Sequence, residues 1–146
     1  MNKLLRLSLL YSIVLFVLFA INIEAQTQAE MNDEASAAFH KQDKILNDTY
    51  KEILKLYIDD TIFTKKLRIA QRAWIAYRDA YVQSVFPEDS GYGSVYPVCY
   101  YNLMQSLTEE RIKELKAWLD GDEEGDVCSG SIKTKEELDE IRHGNK

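Results

Sequence analysis

Histidine, cysteine and proline are scarce in this chain, with two of each in 146 residues. His40 and His143 stand far apart. Together with Cys99 and Cys128 they lack metal-ligand spacing, so no metal is expected. No GK[ST] or GxGxxG follows a strand-like run, which leaves no phosphate loop. The loop serines have no histidine nearby, and no two acids are placed to face one cleft, so neither a nucleophile–base pair nor a glycosidase pair emerges. An enzyme is not expected, and no cofactor is implied. Basic residues are also short: 18 Lys and Arg against 24 Asp and Glu give a net charge of −6. That balance argues against nucleic acid, which needs clustered cations, and suits a basic partner.

Long apolar runs are confined to the start. Lys3 and Arg6 precede an almost wholly apolar Leu7 to Ile21, and Ile23-Glu24-Ala25 offers a small residue before Gln26. This order reads as a signal peptide over 1–25, cut after Ala25, with a periplasmic or secreted product. Left uncut, the same stretch is close to the length of a membrane span, and it is the one membrane contact that the sequence offers. Cleavage removes two basic residues and one acidic residue, leaving −7 on a single domain over 26–146. Export brings an oxidising compartment, where two cysteines most simply form one bridge. Closing that loop would contribute about 3–4 kcal/mol.

Prolines at 87 and 97 only leave the preceding segments free to run as helices. After a loose polar stretch over 26–32, Asn32 or Asp33 caps a first helix. Its stripe is Phe39, Leu46, Tyr50, Ile53 and Tyr57, and it ends near Ile58. Asp60 or Thr61 caps a second helix over Thr61–Phe86. The short Asp59–Thr61 turn makes the two antiparallel neighbours. Phe63, Leu67, Ala70, Trp74, Tyr77, Tyr81 and Val85 follow one another at steps of 3 and 4, the spacing of a buried stripe. Lys65, Lys66, Arg68 and Arg72 lie opposite. A third helix over Val98–Leu119 carries Leu103, Leu107 and Leu115, and a capping-box pattern at Ser106–Glu109 offers a break. Asp120–Asp126 is an acidic turn. Its twelfth position would be Ser131 rather than the glutamate of a calcium loop. Thr134-Lys135-Glu136-Glu137 opens a short last helix to about Ile141.

The fold expected is therefore all-α: a small bundle of three main helices, a Gly/Tyr loop between the second and third, and a short C-terminal helix. Its core draws on Phe39, Leu46, Tyr50, Ile53, Leu67, Trp74, Tyr77, Leu103, Leu107 and Leu115. Arg78, Asp79 and Arg111 read as structural, with Asp79 bridging to Arg111. The loop Pro87–Pro97 holds two glycines around Tyr92 and is the candidate recognition surface, through Glu88, Asp89, Tyr92, Ser94 and Tyr96.

The segment Gln71-Arg72-x-Trp74-Ile75-x-Tyr77-Arg78-Asp79-Ala80 resembles the signature of the LprI-like lysozyme inhibitor N-terminal domain family. Asp43-x2-Leu46-Asn47-x2-Tyr50-Lys51, Gly93-Ser94, Cys99 and Leu107-Thr108-x2-Arg111-x3-Leu115 resemble its other motifs. The likeness covers about 39–119 and leaves 120–146 as an acidic tail. It implies a small exported bacterial domain that binds and blocks a lysozyme. The alternative is a non-inhibitory envelope protein that meets another envelope protein through the helix-two face around Arg68 and Arg72. Members usually carry a cysteine just after the Tyr-Arg-Asp motif, where this chain has Val82, and another ahead of the first-helix motif. The resemblance therefore implies a rewired bridge from Cys99 to Cys128.

Overall fold

A computed structural model describes residues 3–88, 91–124 and 127–144, with side chains from residue 27 onward. Four helices make up the fold: α1 Lys3–Leu56, α2 Thr61–Val85, α3 Tyr96–Asp120 and α4 Lys135–Gly144, with a 3-10 turn at Gly93–Val95 ahead of α3. Among the described residues the one extended pairing is an isolated bridge between Asp122 and Thr134.

Local chemistry sets the ends of these helices. The Asp60 side chain accepts from the Phe63 amide at 2.9 Å, satisfying one of the open donors of α2. Pro87 follows α2, and Pro97 stands in the first turn of α3, where its missing N–H costs nothing. Gly121 ends α3 with φ +71°, and a Cβ there would meet Leu138 Cδ1 at 2.9 Å, so both the turn and the close approach require glycine. At α4, Glu137 accepts from the Thr134 amide at 2.8 Å while the Glu137 amide donates to the Thr134 hydroxyl at 3.2 Å. This is the capping box read from the sequence.

The path is up, down, up. Asn32 of α1 meets Ser94 just ahead of α3, and Tyr57 meets Trp118 near the end of α3, so α1 and α3 run parallel and make the closest backbone approach. α2 runs antiparallel to both and stands further off, held by large side chains. One apolar cluster joins Leu46, Ile53, Tyr57, Phe63, Leu67, Ile112, Leu115 and Leu138. A second joins Phe39, Val82 and Met104 nearer the loop. Every described buried residue lies at Ala35 or beyond. The Tyr57 hydroxyl ties the base together: it donates to the Trp118 carbonyl at 3.1 Å and accepts from the Lys133 amide at 3.0 Å.

Several expectations change. The inward stripe of α2 is Phe63, Leu67, Gln71, Arg78 and Val82, with Trp74 half-buried; Tyr77, at 57% exposure, and Tyr81 point outward. The expected stripe placed Ala70, Tyr77, Tyr81 and Val85 inward, and all four are exposed, so the helix is rotated from the expected facing. Tyr50, Leu103 and Leu107 are half-buried rather than fully enclosed. The 26–32 stretch is helical and continuous with α1, and Asn32 is not a cap but a donor to Ser94. α3 runs unbroken through Ser106. No disulfide joins Cys99 to Cys128. Cys99 lies in the first turn of α3 and Cys128 beyond its end, which puts roughly 30 Å of helix between them, against the ~6 Å between Cα atoms that a bridge spans.

The signal-peptide reading of 1–25 falls on residues whose side chains are outside the described set. Among the described residues no helix is long and apolar enough to cross a membrane.

Leu115 is fully buried, so Leu115→Ala is expected to cost about 2–5 kcal/mol in urea unfolding. Tyr77→Ala should stay within about 0.5 kcal/mol, and reductant should leave the midpoint where it is. Equal losses at the two positions would contradict the observed facing of α2.

Candidate functional site

The motif residues of the three long helices converge on one guanidinium. Arg78, with 8% of its side chain exposed, directs Nε to Asp79 Oδ1 at 2.9 Å and Nη1 to Asp43 Oδ1 at 3.1 Å. Nη1 also reaches the Thr108 hydroxyl at 3.4 Å, and that hydroxyl donates to the Met104 carbonyl at 2.7 Å. The planar head lies over the Phe39 ring at 5.5 Å and the Trp74 ring at 5.3 Å. A delocalised, permanently charged fork suits this place better than an ammonium would, since it satisfies two carboxylates and stacks on two rings at once. Asn47 fixes the other Asp43 oxygen at 3.0 Å.

A second arginine works one turn away. Arg111 donates to Gln71 Oε1 at 3.2 Å and to Glu114 at 2.7 Å, and it covers the other side of the motif at 5.8 Å from the Trp74 ring. The expected Asp79–Arg111 bridge is absent. Asp79 is held by its own chain neighbour, and Gln71, one of the inward residues of α2, takes Arg111. None of the described cavities is lined by these residues. The cluster is packed and mutually satisfied, which is the condition of a structural clamp rather than a reacting site.

The loop at 87–97 is built differently. Gly91 and Gly93 take φ of +70° and +64°, a conformation that side-chain-bearing residues adopt only at a cost, and an added Cβ at either would meet open space. Between them Tyr92 is exposed, and Ser94 and Val95 are exposed beside it. The Tyr92 hydroxyl donates to the Val85 carbonyl at 3.4 Å and the Tyr96 hydroxyl to the Phe86 carbonyl at 3.2 Å, so both tyrosines occupy acceptors left open where α2 ends. Asn32 donates to the Ser94 carbonyl at 3.1 Å and pins the loop to α1. Glu88 is exposed at the loop's start; Asp89 lies outside the described residues.

Behind Tyr92 the rings form a ladder. Phe86 meets Tyr92 edge-on at 5.8 Å, Tyr92 stacks with Tyr96 at 6.2 Å, Tyr96 meets Tyr100 at 5.7 Å, Tyr100 meets Tyr101 at 5.5 Å, and Tyr101 reaches Phe39 at 5.9 Å. Phe39 in turn packs on Arg78, so the loop is tied to the clamp through consecutive aromatic contacts. Loss of hydration pushes the Tyr96 and Tyr100 hydroxyls above the ordinary tyrosine value, with Glu88 adding to the first and Asp79 to the second. Both remain neutral at physiological pH. The sequence reading missed Phe86, Tyr100 and Tyr101. The spacing of 92, 96 and 100 was the available signal, since residues four apart share a helix face.

In comparisons with known proteins, a family model described as "Lysozyme inhibitor LprI" matches residues 21–115, more than half of the chain. No curated protein and no solved structure matches.

Replacing Arg78 by Met strands Asp43 and Asp79, which are themselves partly hydrated. A loss of about 2–3 kcal/mol is expected, below that for a fully buried pair. Arg78→Lys should recover part of it, because the charge stays while the fork and the stacking go. Urea unfolding checks both. An Arg78→Met protein as stable as the parent would show that the clamp contributes nothing.

Proposed function

The chain belongs to the lysozyme inhibitor LprI family, and from that membership we propose that it is exported, binds a basic lysozyme and blocks it through the loop at 87–97. The observation that carries the loop assignment is Tyr92. It is an exposed ring on a two-glycine tip in open space, braced from behind by hydrogen bonds and by the aromatic ladder. A stiff aromatic tip gives contact area at a low entropy cost, which is what insertion into a saccharide cleft demands.

In this reading Tyr92 enters the cleft and Ser94 contacts its rim. Tyr96 sets the angle of the Tyr92 ring and adds contact area at the edge. Glu88 and Asp89 meet cationic side chains around the opening. A net charge of −7 on residues 26–146 steers the domain toward a basic enzyme and raises the association rate at low salt. Inhibition is then occlusion, with no bond made or broken. The product is periplasmic or secreted after removal of 1–25.

The test is an activity assay of several lysozyme classes with residues 26–146 at low and physiological salt. The expected result is stoichiometric inhibition that weakens as salt rises, and a loss of at least tenfold in affinity for Tyr92→Ala, as for an anchor residue. Inhibition unchanged in a folded Tyr92→Ala, Tyr96→Ala protein would remove the loop assignment. No inhibition of any class would remove the function.

A further inference from the structure

The rotation of α2 leaves a second stripe on its outer side. Ile62 is 75% exposed, and Ile69, Tyr77 and Tyr81 follow it along the helix, with the exposed alanines 70, 73, 76 and 80 between and beside them. Tyr77 and Tyr81 stack on each other at 5.8 Å in solvent. Lys65, Lys66, Arg68 and Arg72 are all exposed along the N-terminal half, and none forms an ion pair among the described residues. Asp79, the one carboxylate that α2 carries, is held by Arg78. Asp59 and Asp60 precede the helix, and Asp60 is used as its cap. On a chain of net charge −6, this side of the molecule is cationic and apolar together.

We propose that the outer face of α2 docks on an anionic phospholipid surface. The charge sign excludes the basic enzyme as its occupant and calls for an anionic one. The shape favours a lipid interface. A 25-residue helix presents a convex ridge roughly 37 Å long, and none of the described cavities lies along this stripe to take a partner's side chain. Isoleucines that stand clear of the surface can enter the headgroup boundary. Tyrosines prefer that boundary, and lysine and arginine stems lie along it while their charges meet phosphate. The rest of the chain is acidic and is repelled by the same surface, so the α2 face is the side that approaches it. The loop at 87–97, beyond the end of α2, stays open to solvent in that pose.

Co-sedimentation of residues 26–146 with vesicles of phosphatidylglycerol and phosphatidylethanolamine, beside phosphatidylcholine vesicles, tests this at physiological salt. Binding is expected to the anionic vesicles alone. Each cation contributes about 1 kcal/mol near such a surface, so Lys65→Gln with Arg72→Gln should weaken partition roughly 25-fold. Ile69→Ser with Tyr77→Ser should also weaken it. All four positions are exposed, so both variants should keep the parent's helicity and urea midpoint, and both should inhibit lysozyme as the parent does. That separates failure here from failure of the inhibitor reading. No binding to anionic vesicles, or equal binding to neutral ones, would overturn the proposal. Retention on polyglutamate as strong as on vesicles and indifferent to Ile69→Ser with Tyr77→Ser would assign the face to an acidic protein and overturn it too.

Discussion

One buried guanidinium holds the three long helices in register. Arg78 joins Asp43 of α1, Asp79 of α2 and Thr108 of α3, and its flat head lies against Phe39 and Trp74. α1 and α3 approach each other closely, but α2 does not, and apolar contact alone would let it slide or turn. A charge that is costly to leave unpaired converts that loose contact into a single arrangement. The glutamine, the second arginine and the tryptophan beside it extend the same device one turn further. Two apolar clusters then pack on either side of this polar layer.

The clamp also matters for what lies at the end of the bundle. Phe39 links Arg78 to Tyr101, and the rings continue to Tyr92. A loop of eleven residues with two glycines would ordinarily lose much entropy on binding. Here its hydroxyls close the open carbonyls of α2, and Asn32 anchors it to α1, so much of that ordering is already made in the free protein. The opposite signs of the loop region and the α2 face give the molecule two surfaces that do not compete for one partner.

Much of this was legible in the residues. Asp60, Pro87 and the Thr134–Glu137 box punctuate the chain by chemistry that acts within one turn, and those boundaries stand. The all-α class follows from the period of the apolar residues. What failed depended on partners far away in sequence. Tyr77 gives up its expected inward place because Asp43 and Thr108, on other helices, make a buried Arg78 favourable. The Asp79–Arg111 bridge failed for the same reason, since Gln71 was nearer. The Cys99–Cys128 bridge failed on length: α3 is unbroken, and the capping-box pattern at Ser106 could not show that. The loop residues could be located by their glycines and prolines, but the ladder behind Tyr92 required knowing that α3 begins at Tyr96.

The most direct measurement is a double-mutant cycle on Asp43 and Arg78, with Asp43→Asn, Arg78→Met and the pair compared in urea. The clamp requires a coupling energy of about 1–2 kcal/mol between residues 35 apart in sequence. Additive losses, with coupling below about 0.3 kcal/mol, would mean that Arg78 packs as an ordinary side chain and that something else holds α2 in place.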